Sequence, residues 1–276
     1  MLAHYLSIVT ILAGVHIDCK DVYISNDGND DENCGSSFNY SCKSLEYALK
    51  HTKYVNTVLL NGGQDTQMYY YINTTILLET NTTFIRYNGS RFKPVITSNK
   101  DIFAFRLFKC NHSSYTFSFQ SIEFKYIKIL QCRYLPCSIY LYDCYVAGQG
   151  NVENWRYDDS FISIEGAFTT ITKPSNVDVQ NCSFYGPKIT VFSRTWIFVS
   201  IKDSIISGGR IDLSTENGSN NTVNLQITNV MFCSQTCFIS VIAINGNIQN
   251  IYIVNSKFFN LTSSINVFPA IINWQA

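Results

Sequence analysis

Six copies of one short pattern recur from residue 117 onwards and constrain the fold of the chain more than any other feature. Each copy is apolar at its first and third positions, carries Asn, Asp or Ser at the fifth, has a small or apolar residue at the sixth, and is apolar again at the eighth. The copies begin at residues 117, 139, 177, 199, 225 and 251, in steps of 22, 38, 22, 26 and 26 residues. They read FSFQSIEF, IYLYDCYV, VDVQNCSF, VSIKDSII, LQITNVMF and IYIVNSKF. A period of roughly 20 to 50 residues is typical of proteins that stack one structural unit on the next.

The pattern predicts two short strands joined at a sharp corner. Alternation with a period of two buries one face of a strand. Asn and Asp adopt the left-handed αL conformation more readily than other non-glycine residues, so the fifth position can turn the chain without a hairpin. If the units stack as parallel strands ~4.8 Å apart, the corner residues form a column linked by side-chain hydrogen bonds. The predicted turn ladder is Ser121, Asp143, Asn181, Asp203, Asn229 and Asn255.

This arrangement resembles the right-handed parallel β-helix of the pectate-lyase-like superfamily, in which an Asn ladder occupies a tight turn. The resemblance covers about residues 20–276 and implies an all-β solenoid; it matches no enzyme subfamily. A β-sandwich is the alternative, but sandwich strands follow one another at about 8–12 residues with hairpin turns. The 38-residue step predicts either a loop inserted near GQGNVENWRYDDS or one extra degenerate coil.

The chain begins with a segment that predicts a secretory signal peptide over residues 1–18. Tyr5 to Val15 is a short apolar run with small residues near its end. A buried first strand or an uncleaved anchor is the alternative interpretation. No later run approaches the ~18 apolar residues of a transmembrane helix, so we expect no membrane-spanning segment in this chain.

Residues 19–60 read strand, acidic Asn/Gly loop, helix and strand, with a helical apolar face formed by Leu45, Ala48 and Leu49. The end of a solenoid must be covered, and terminal units are usually atypical. We therefore expect a short N-terminal capping helix within residues 19–60 and β-helix coils over residues 61–276. The C-terminal NVFPAIINWQA either folds back as its own cover or continues into a longer, membrane-anchored protein.

Ten cysteines favour an oxidising compartment, where thiols pair as disulfides. One expected pair closes the N-terminal loop, two follow the spacing of neighbouring copies and would bridge adjacent coils, and one closes a local turn. These pairs are Cys34–Cys42, Cys110–Cys132, Cys144–Cys182 and Cys233–Cys237. Cys19 and Cys137 have no assigned partner.

Nine Asn-x-Ser/Thr sequons support the prediction of an extracellular glycoprotein. Asn181 is excepted, because we expect its side chain to point into the structure from the ladder. Glycosylation is predicted at Asn39, Asn73, Asn81, Asn88, Asn111, Asn217, Asn220 and Asn260.

The charge pattern argues against nucleic acid as a partner. The formal net charge is zero and only 14% of residues are charged, without a basic stripe. The acidic loop with Asp27, Asp30, Asp31 and Glu32 could attract Ca²⁺, but it lacks the glutamate that ends an EF-hand loop, so a polar turn is the preferred interpretation. We expect no metal and no cofactor.

No catalytic set can be assigned from the residues. A glycosidase needs two carboxylates at a defined separation, whereas Asp158 and Asp159 are adjacent and would diverge in a strand. Arg210 and Asp212 could share an exposed face. A polysaccharide lyase or glycoside hydrolase acting on acidic polysaccharide, which the resemblance implies, would be favoured if these residues and Asp178 converged within about 10 Å.

Outward-facing aromatic residues favour a binding function instead. Tyr140, Tyr142 and Tyr252 fall on the outward phase of their strands, where tyrosine suits stacking on carbohydrate or contact with protein. The inserted loop supplies a candidate binding patch of Trp155, Arg156, Tyr157, Asp158 and Asp159. We therefore expect a secreted or cell-surface recognition, adhesion or structural module that meets an extracellular protein or glycan.

Overall fold

The computed structural model describes residues 20–78, 80–100, 102–107, 115–133, 137–148, 160–166, 174–186, 188–193, 196–215, 222–237, 240–263 and 270–275. They form a parallel β-solenoid with very little helix, as the sequence predicts. Several predicted features lie outside the described residues: the signal peptide, Cys19, Cys110, the loop patch 155–159, and the sequons at Asn111, Asn217 and Asn220.

Each full coil contributes one strand to each of three parallel sheets. Sheet A contains β1 (Lys20–Ile24), β2 (Val55–Leu60), β5 (Thr82–Arg86), β8 (Tyr115–Gln120), β11 (Cys137–Tyr142), β14 (Ser175–Gln180), β17 (Ile197–Lys202), β20 (Thr222–Thr228) and β23 (Asn247–Val254). Sheet B contains β3 (Tyr69–Tyr71), β6 (Val95–Thr97), β9 (Glu123–Lys125), β12 (Tyr145–Ala147), β15 (Ser183–Tyr185), β18 (Ile205–Ser207), β21 (Met231–Cys237) and β24 (Lys257–Ser263). Sheet C contains β4 (Ile76–Leu77), β7 (Phe103–Leu107), β10 (Lys128–Arg133), β13 (Ser160–Gly166), β16 (Lys188–Ser193), β19 (Arg210–Thr215), β22 (Ser240–Asn245) and β25 (Ala270–Gln275).

The register of sheet A is the register of the six sequence copies. The first residues of successive copies are paired along the sheet: Phe117, Ile139, Val177, Val199, Leu225 and Ile251. Because β11 pairs directly with β14, no extra coil lies in the 38-residue step. The added residues lie in the connections on either side of β13: the one before it covers 148–159, where the previous coil has only 126–127.

Aromatic side chains fill the core of the early coils. Phe84, Phe105, Phe119 and Phe124 are fully buried. The ring centroid of Phe84 lies 4.6 Å from that of Phe105 and 5.0 Å from that of Phe119, and Phe119 meets Phe124 edge-on at 5.5 Å. In the later coils Val, Leu and Ile take the positions of Phe105 and Phe119, whereas buried phenylalanines, Phe184 and Phe232, return at the position of Phe124. The inward phase of the alternation therefore builds one continuous apolar column.

The corner after each sheet A strand has the backbone conformation that the ladder requires. All six ladder residues have φ between 49° and 56°. Ser121 Oγ donates to Asp143 Oδ2 (2.7 Å), and Asn229 Nδ2 donates to Asp203 Oδ1 (2.8 Å). The expectation that Asn181 points into the structure is wrong: its side chain is exposed and Nδ2 donates to Asp143 Oδ1 at 3.4 Å. A ladder residue on the outer side of the corner can thus hydrogen-bond to the ladder residue of the next coil along the protein surface.

Asp143 is expected to make stability depend on pH. Partial burial would raise the pKa of its carboxyl, but hydrogen bonds from Lys93 Nζ (2.8 Å) and Ser121 Oγ (2.7 Å) outweigh this, so the pKa is lowered in the folded protein. The stability that it contributes is present above the ordinary Asp pKa and is lost as the pH falls through the lower folded value. As the pH falls below about 4, the free energy of unfolding in urea should decrease more steeply for the native chain than for Asp143→Asn. Equal slopes would contradict this assignment.

The N-terminal segment forms the predicted strand, loop, helix and strand. The helix α1 (Leu45–His51) begins at Ser44, whose side chain accepts a hydrogen bond from Tyr47 N (3.2 Å). Leu45 and Ala48 are buried, and Leu49 packs against the core. Cys34 and Cys42 are joined by a disulfide, with an S–S distance of 2.02 Å. The strands β1 and β2, both within residues 19–60, already belong to sheet A.

Cys132 pairs with Cys137 and not with Cys110, so the second predicted disulfide is wrong. The 22-residue step on which that prediction depends holds between β8 and β11 in sheet A. In sheet C, β7 pairs with β10 in a register that sets Leu107 beside Cys132, a step of 25 residues. A short connection between β10 and β11 instead brings Cys132 and Cys137 to a Cα–Cα distance of 6.8 Å.

Cys144 and Cys182 lie on adjacent coils as predicted, but their thiols are free. Cys144 N donates to Cys182 Sγ (3.3 Å), while the Cys144 thiol donates to the carbonyl of Phe119 (3.3 Å). Burial raises the pKa of the Cys144 thiol, which keeps it protonated. The expected turn between Cys233 and Cys237 is also wrong, because both residues lie in β21, where a four-residue step spans ~13 Å.

Candidate binding groove

The outer face of sheet A carries a column of five outward side chains on successive strands. Register places them beside one another in the order Tyr140, Asp178, Ser200, Gln226 and Tyr252. The two tyrosines are exposed, at 39% and 58%, as their outward phase predicts. Ser200, at the centre, is the smallest of the five side chains. Large rings at both ends and a small side chain between them create a concave surface.

A second outward column flanks the first one, two residues earlier on each strand. Its members are Asn176, Phe198, Asn224 and Asn250, in that order along the sheet. Together the two columns line a groove of about 370 Å³. Phe198 is 41% exposed, so the groove has three exposed aromatic side chains around an amide-bearing floor. We name this surface the sheet A groove.

Hydrogen bonds between neighbouring strands orient the amides of the groove. Asn250 Nδ2 donates to Asn224 Oδ1 (2.8 Å), and Asn176 Nδ2 donates to Ser138 Oγ (3.1 Å). The strand β23 contains a bulge at Gln249, because Val223 pairs with Ile248 whereas Asn224 pairs with Asn250. Gln249 Oε1 accepts a hydrogen bond from Asn224 Nδ2 (3.0 Å). Asn224 and Asn250 therefore form a bonded pair of amides at one end of the groove, and Phe198 separates this pair from Asn176.

The residues that line the sheet A groove include one charged side chain, Asp178. None of its asparagines begins a glycosylation sequon, since Asn176, Asn224 and Asn250 are followed two positions later by Asp, Gln and Tyr. The sequon residues Asn39, Asn73, Asn81 and Asn88 are exposed on the early coils, and Asn260 lies in β24. Among the described residues, therefore, no predicted glycan is attached to a side chain that lines the groove.

Sheet C carries a separate cluster of charged side chains. Asp212 Oδ1 accepts a hydrogen bond from Arg210 Nε, and Asp212 Oδ2 forms an ion pair with Lys188 Nζ at 2.7 Å. Asp178 lies on sheet A, so it does not join Arg210 and Asp212 on one sheet. Asp158 and Asp159 lie outside the described residues. Among the described acidic residues on which the enzyme hypothesis depends, no pair of free carboxylates shares a groove.

The acidic N-terminal loop uses its carboxylates to hold its own backbone. Asp30 Oδ1 accepts hydrogen bonds from Lys43 N (2.8 Å) and Ser44 N (2.9 Å), next to the start of α1. Asp31 Oδ1 accepts one from Asn33 N (2.9 Å). In the part of the chain that is described, no group of three His, Cys, Asp or Glu side chains is placed to hold a metal ion.

The sequence contains more of the outward columns than its aromatic residues alone reveal. Tyr140, Tyr142 and Tyr252 stand out because they are aromatic. Phe198 and the flanking asparagines stand one residue before the start of each copy, on the same outward phase, so the register of the copies sets them side by side. The depth of the groove depends on the contrast in size between Ser200 and the terminal tyrosines, which the apolar pattern does not report.

Within the described ranges, no helix combines the length and the apolar character that crossing a membrane requires. Comparison with models of known protein families, with curated proteins and with solved structures finds no match to this chain.

Proposed function

We propose that this chain is an extracellular, non-catalytic recognition module, secreted or held at a cell surface, that binds a glycan through the sheet A groove. Its solenoid would be right-handed, as in the pectate-lyase-like superfamily, with α1 and the surrounding segment covering its first coil. Two disulfides, Cys34–Cys42 and Cys132–Cys137, fit an oxidising compartment. Glycosylation and a cleaved signal peptide belong to the same proposal.

The observation that supports this proposal is the composition of the groove. Exposed aromatic rings and amide groups are fixed on neighbouring strands of a rigid scaffold, and aromatic side chains of this kind are typical anchors of binding surfaces. A hydrolase or lyase would need reacting groups gathered in one cleft. On sheet C, the carboxylate of Asp212 is instead engaged in ion pairs with Lys188 and Arg210.

The test uses the full chain produced through a secretory pathway and applied to an array of neutral and acidic glycans. We expect the native chain to bind at least one glycan class. The double variant Tyr140→Ala/Tyr252→Ala should bind the same glycan at least about tenfold more weakly. In parallel, incubation with acidic polysaccharides should release no new reducing ends and no unsaturated products. Product formation would support the lyase or hydrolase alternative. Equal glycan binding by the native chain and the double variant would show that the sheet A groove is not the binding site.

A further inference from the structure

We infer that the sheet A groove holds an uncharged oligosaccharide that lies across the strands, along the axis of the solenoid. This inference rests on the proposed function and specifies its ligand. It depends on three properties of the groove: its direction and length, the nature of its ends, and the charge of its lining.

The direction follows from the register. Tyr140 lies on β11 and Tyr252 on β23, with three strands of sheet A between them. Four steps of ~4.8 Å separate the two strands, so the rings stand about 19 Å apart along the axis. The smaller side chains of Asp178, Ser200 and Gln226 lie between them. A ligand that contacts both ends is therefore long and thin and crosses the strands at a steep angle.

The ends of the groove present apolar surfaces with polar edges. Tyrosine combines a ring face with a hydroxyl group, so it can pack on a C–H face of a sugar while its hydroxyl stays hydrated or bonded. Tyr252 Oη lies 3.5 Å from Asn250 Oδ1, which links this ring to the amide floor. Phe198 adds an exposed ring at the side of the groove. Separate stacking positions suit a chain of sugar rings better than one compact ligand.

The floor between the ends matches hydroxyl groups. A side-chain amide has two N–H donors and an oxygen with two acceptor positions. Asn224 and Asn250 use part of this capacity in their bond to each other, which holds their amides in place. Gln226 is exposed beside them. A side-chain amide can donate a hydrogen bond to a sugar hydroxyl group or accept one from it, and the hydroxyl group can likewise act as donor or acceptor.

The charge of the lining decides between sugar classes. Among the described residues that line the groove, Asp178 is the one charged side chain, and it is negative. Strong binding of carboxylate or sulfate groups relies on Arg or Lys, with charge-assisted hydrogen bonds. A uronate or sulfated chain would find no such partner in the part of the lining that the structure describes, and it would meet the repulsion of Asp178. The groove therefore favours a neutral chain.

The experiment measures the affinity of the full chain for neutral and acidic oligosaccharides of matched length by calorimetry. The probes are cello- and manno-oligosaccharides, from disaccharide to hexasaccharide, and the corresponding oligogalacturonates. We expect a neutral series to bind, with affinity that rises until the oligomer reaches both tyrosines. Its dissociation constant should change less than about twofold between low and high salt, because no ion pair is formed.

Three single variants locate the ligand. Tyr140→Ala and Tyr252→Ala should each weaken binding of the longest oligomer about tenfold. Tyr142→Ala is the matched control, because Tyr142 is 46% exposed on the same strand as Tyr140 but does not line the groove. It should leave affinity unchanged. Circular dichroism spectra of all three variants should match that of the native chain.

The outcomes separate the two proposals. If an acidic series binds better, or if binding weakens steeply with salt, the neutral ligand is wrong while glycan recognition stands. If a neutral oligomer binds but only one tyrosine matters at every length, the axial placement is wrong. If no glycan on the array or in these series binds, the proposed function itself fails.

Discussion

Replacing Phe119 by alanine is expected to lower the free energy of unfolding by about 3–5 kcal/mol. The Phe119 side chain is fully buried and contacts three other rings, those of Phe84, Phe105 and Phe124. Removing it leaves a cavity in an apolar column that neighbouring coils can fill only in part, because each strand is held in register by the strands on both sides. Urea unfolding followed by circular dichroism measures the loss.

Two further variants keep this prediction testable. Phe119→Leu, which keeps most of the volume, should be less destabilising and should fold even if Phe119→Ala does not. Phe198→Ala makes the same chemical change at an outward position of the same sheet and should lower stability by only about 1 kcal/mol. A loss below about 1 kcal/mol for Phe119→Ala would show that the aromatic cluster does not support the early coils.

A valine at the ladder position Asn229 should be the second most damaging change, with a loss of about 2 kcal/mol. Asn229 has φ of 56°, a conformation in which a β-branched side chain is strained. The change also removes the hydrogen bond from Asn229 Nδ2 to Asp203 Oδ1 (2.8 Å). Thermal unfolding of the native chain and the variant gives the difference.

Asn229→Gly separates the two contributions, because glycine adopts positive φ without strain but lacks the amide. It should be less destabilising than Asn229→Val, and the gap between the two variants measures the backbone strain. Gln226→Val is the control, since it places the same β-branched residue at an exposed strand position three residues away, where valine is favoured. Equal losses of stability for the glycine and valine variants would mean that backbone strain at this corner does not contribute to the free energy of unfolding.

The sequence predicts well whatever depends on the repeat itself. Alternation and the corner residue are local properties, so the copies beginning at Phe117 and Ile251 can be aligned from the sequence alone. The same alignment gives the pairing of sheet A because parallel stacking sets equal positions side by side. The positive φ of the ladder follows from the residues that tolerate it.

The sequence predicts poorly whatever depends on the connections between strands. Cys110 and Cys132 have the spacing of sheet A, but sheet C advances by a different number of residues in that coil, and Cys132 instead meets Cys137 across a short connection. The predicted orientation of Asn181 is wrong for a related reason: the alternation ends at the corner, so the inward or outward phase no longer applies there. The sheet A groove depends on differences in size among outward residues, which carry no periodic signal.

The connection between β12 and β13 covers residues 148–159, yet the strands on both sides keep their pairing with the coils above and below. Lengthening a loop adds only a slowly growing entropic cost, about 0.6 kcal/mol for each doubling. The length of this connection thus leaves the pairing of the flanking strands unchanged. The hydrophobic column therefore does not depend on a short connection here, which makes this position suited to grafting a foreign peptide onto the solenoid.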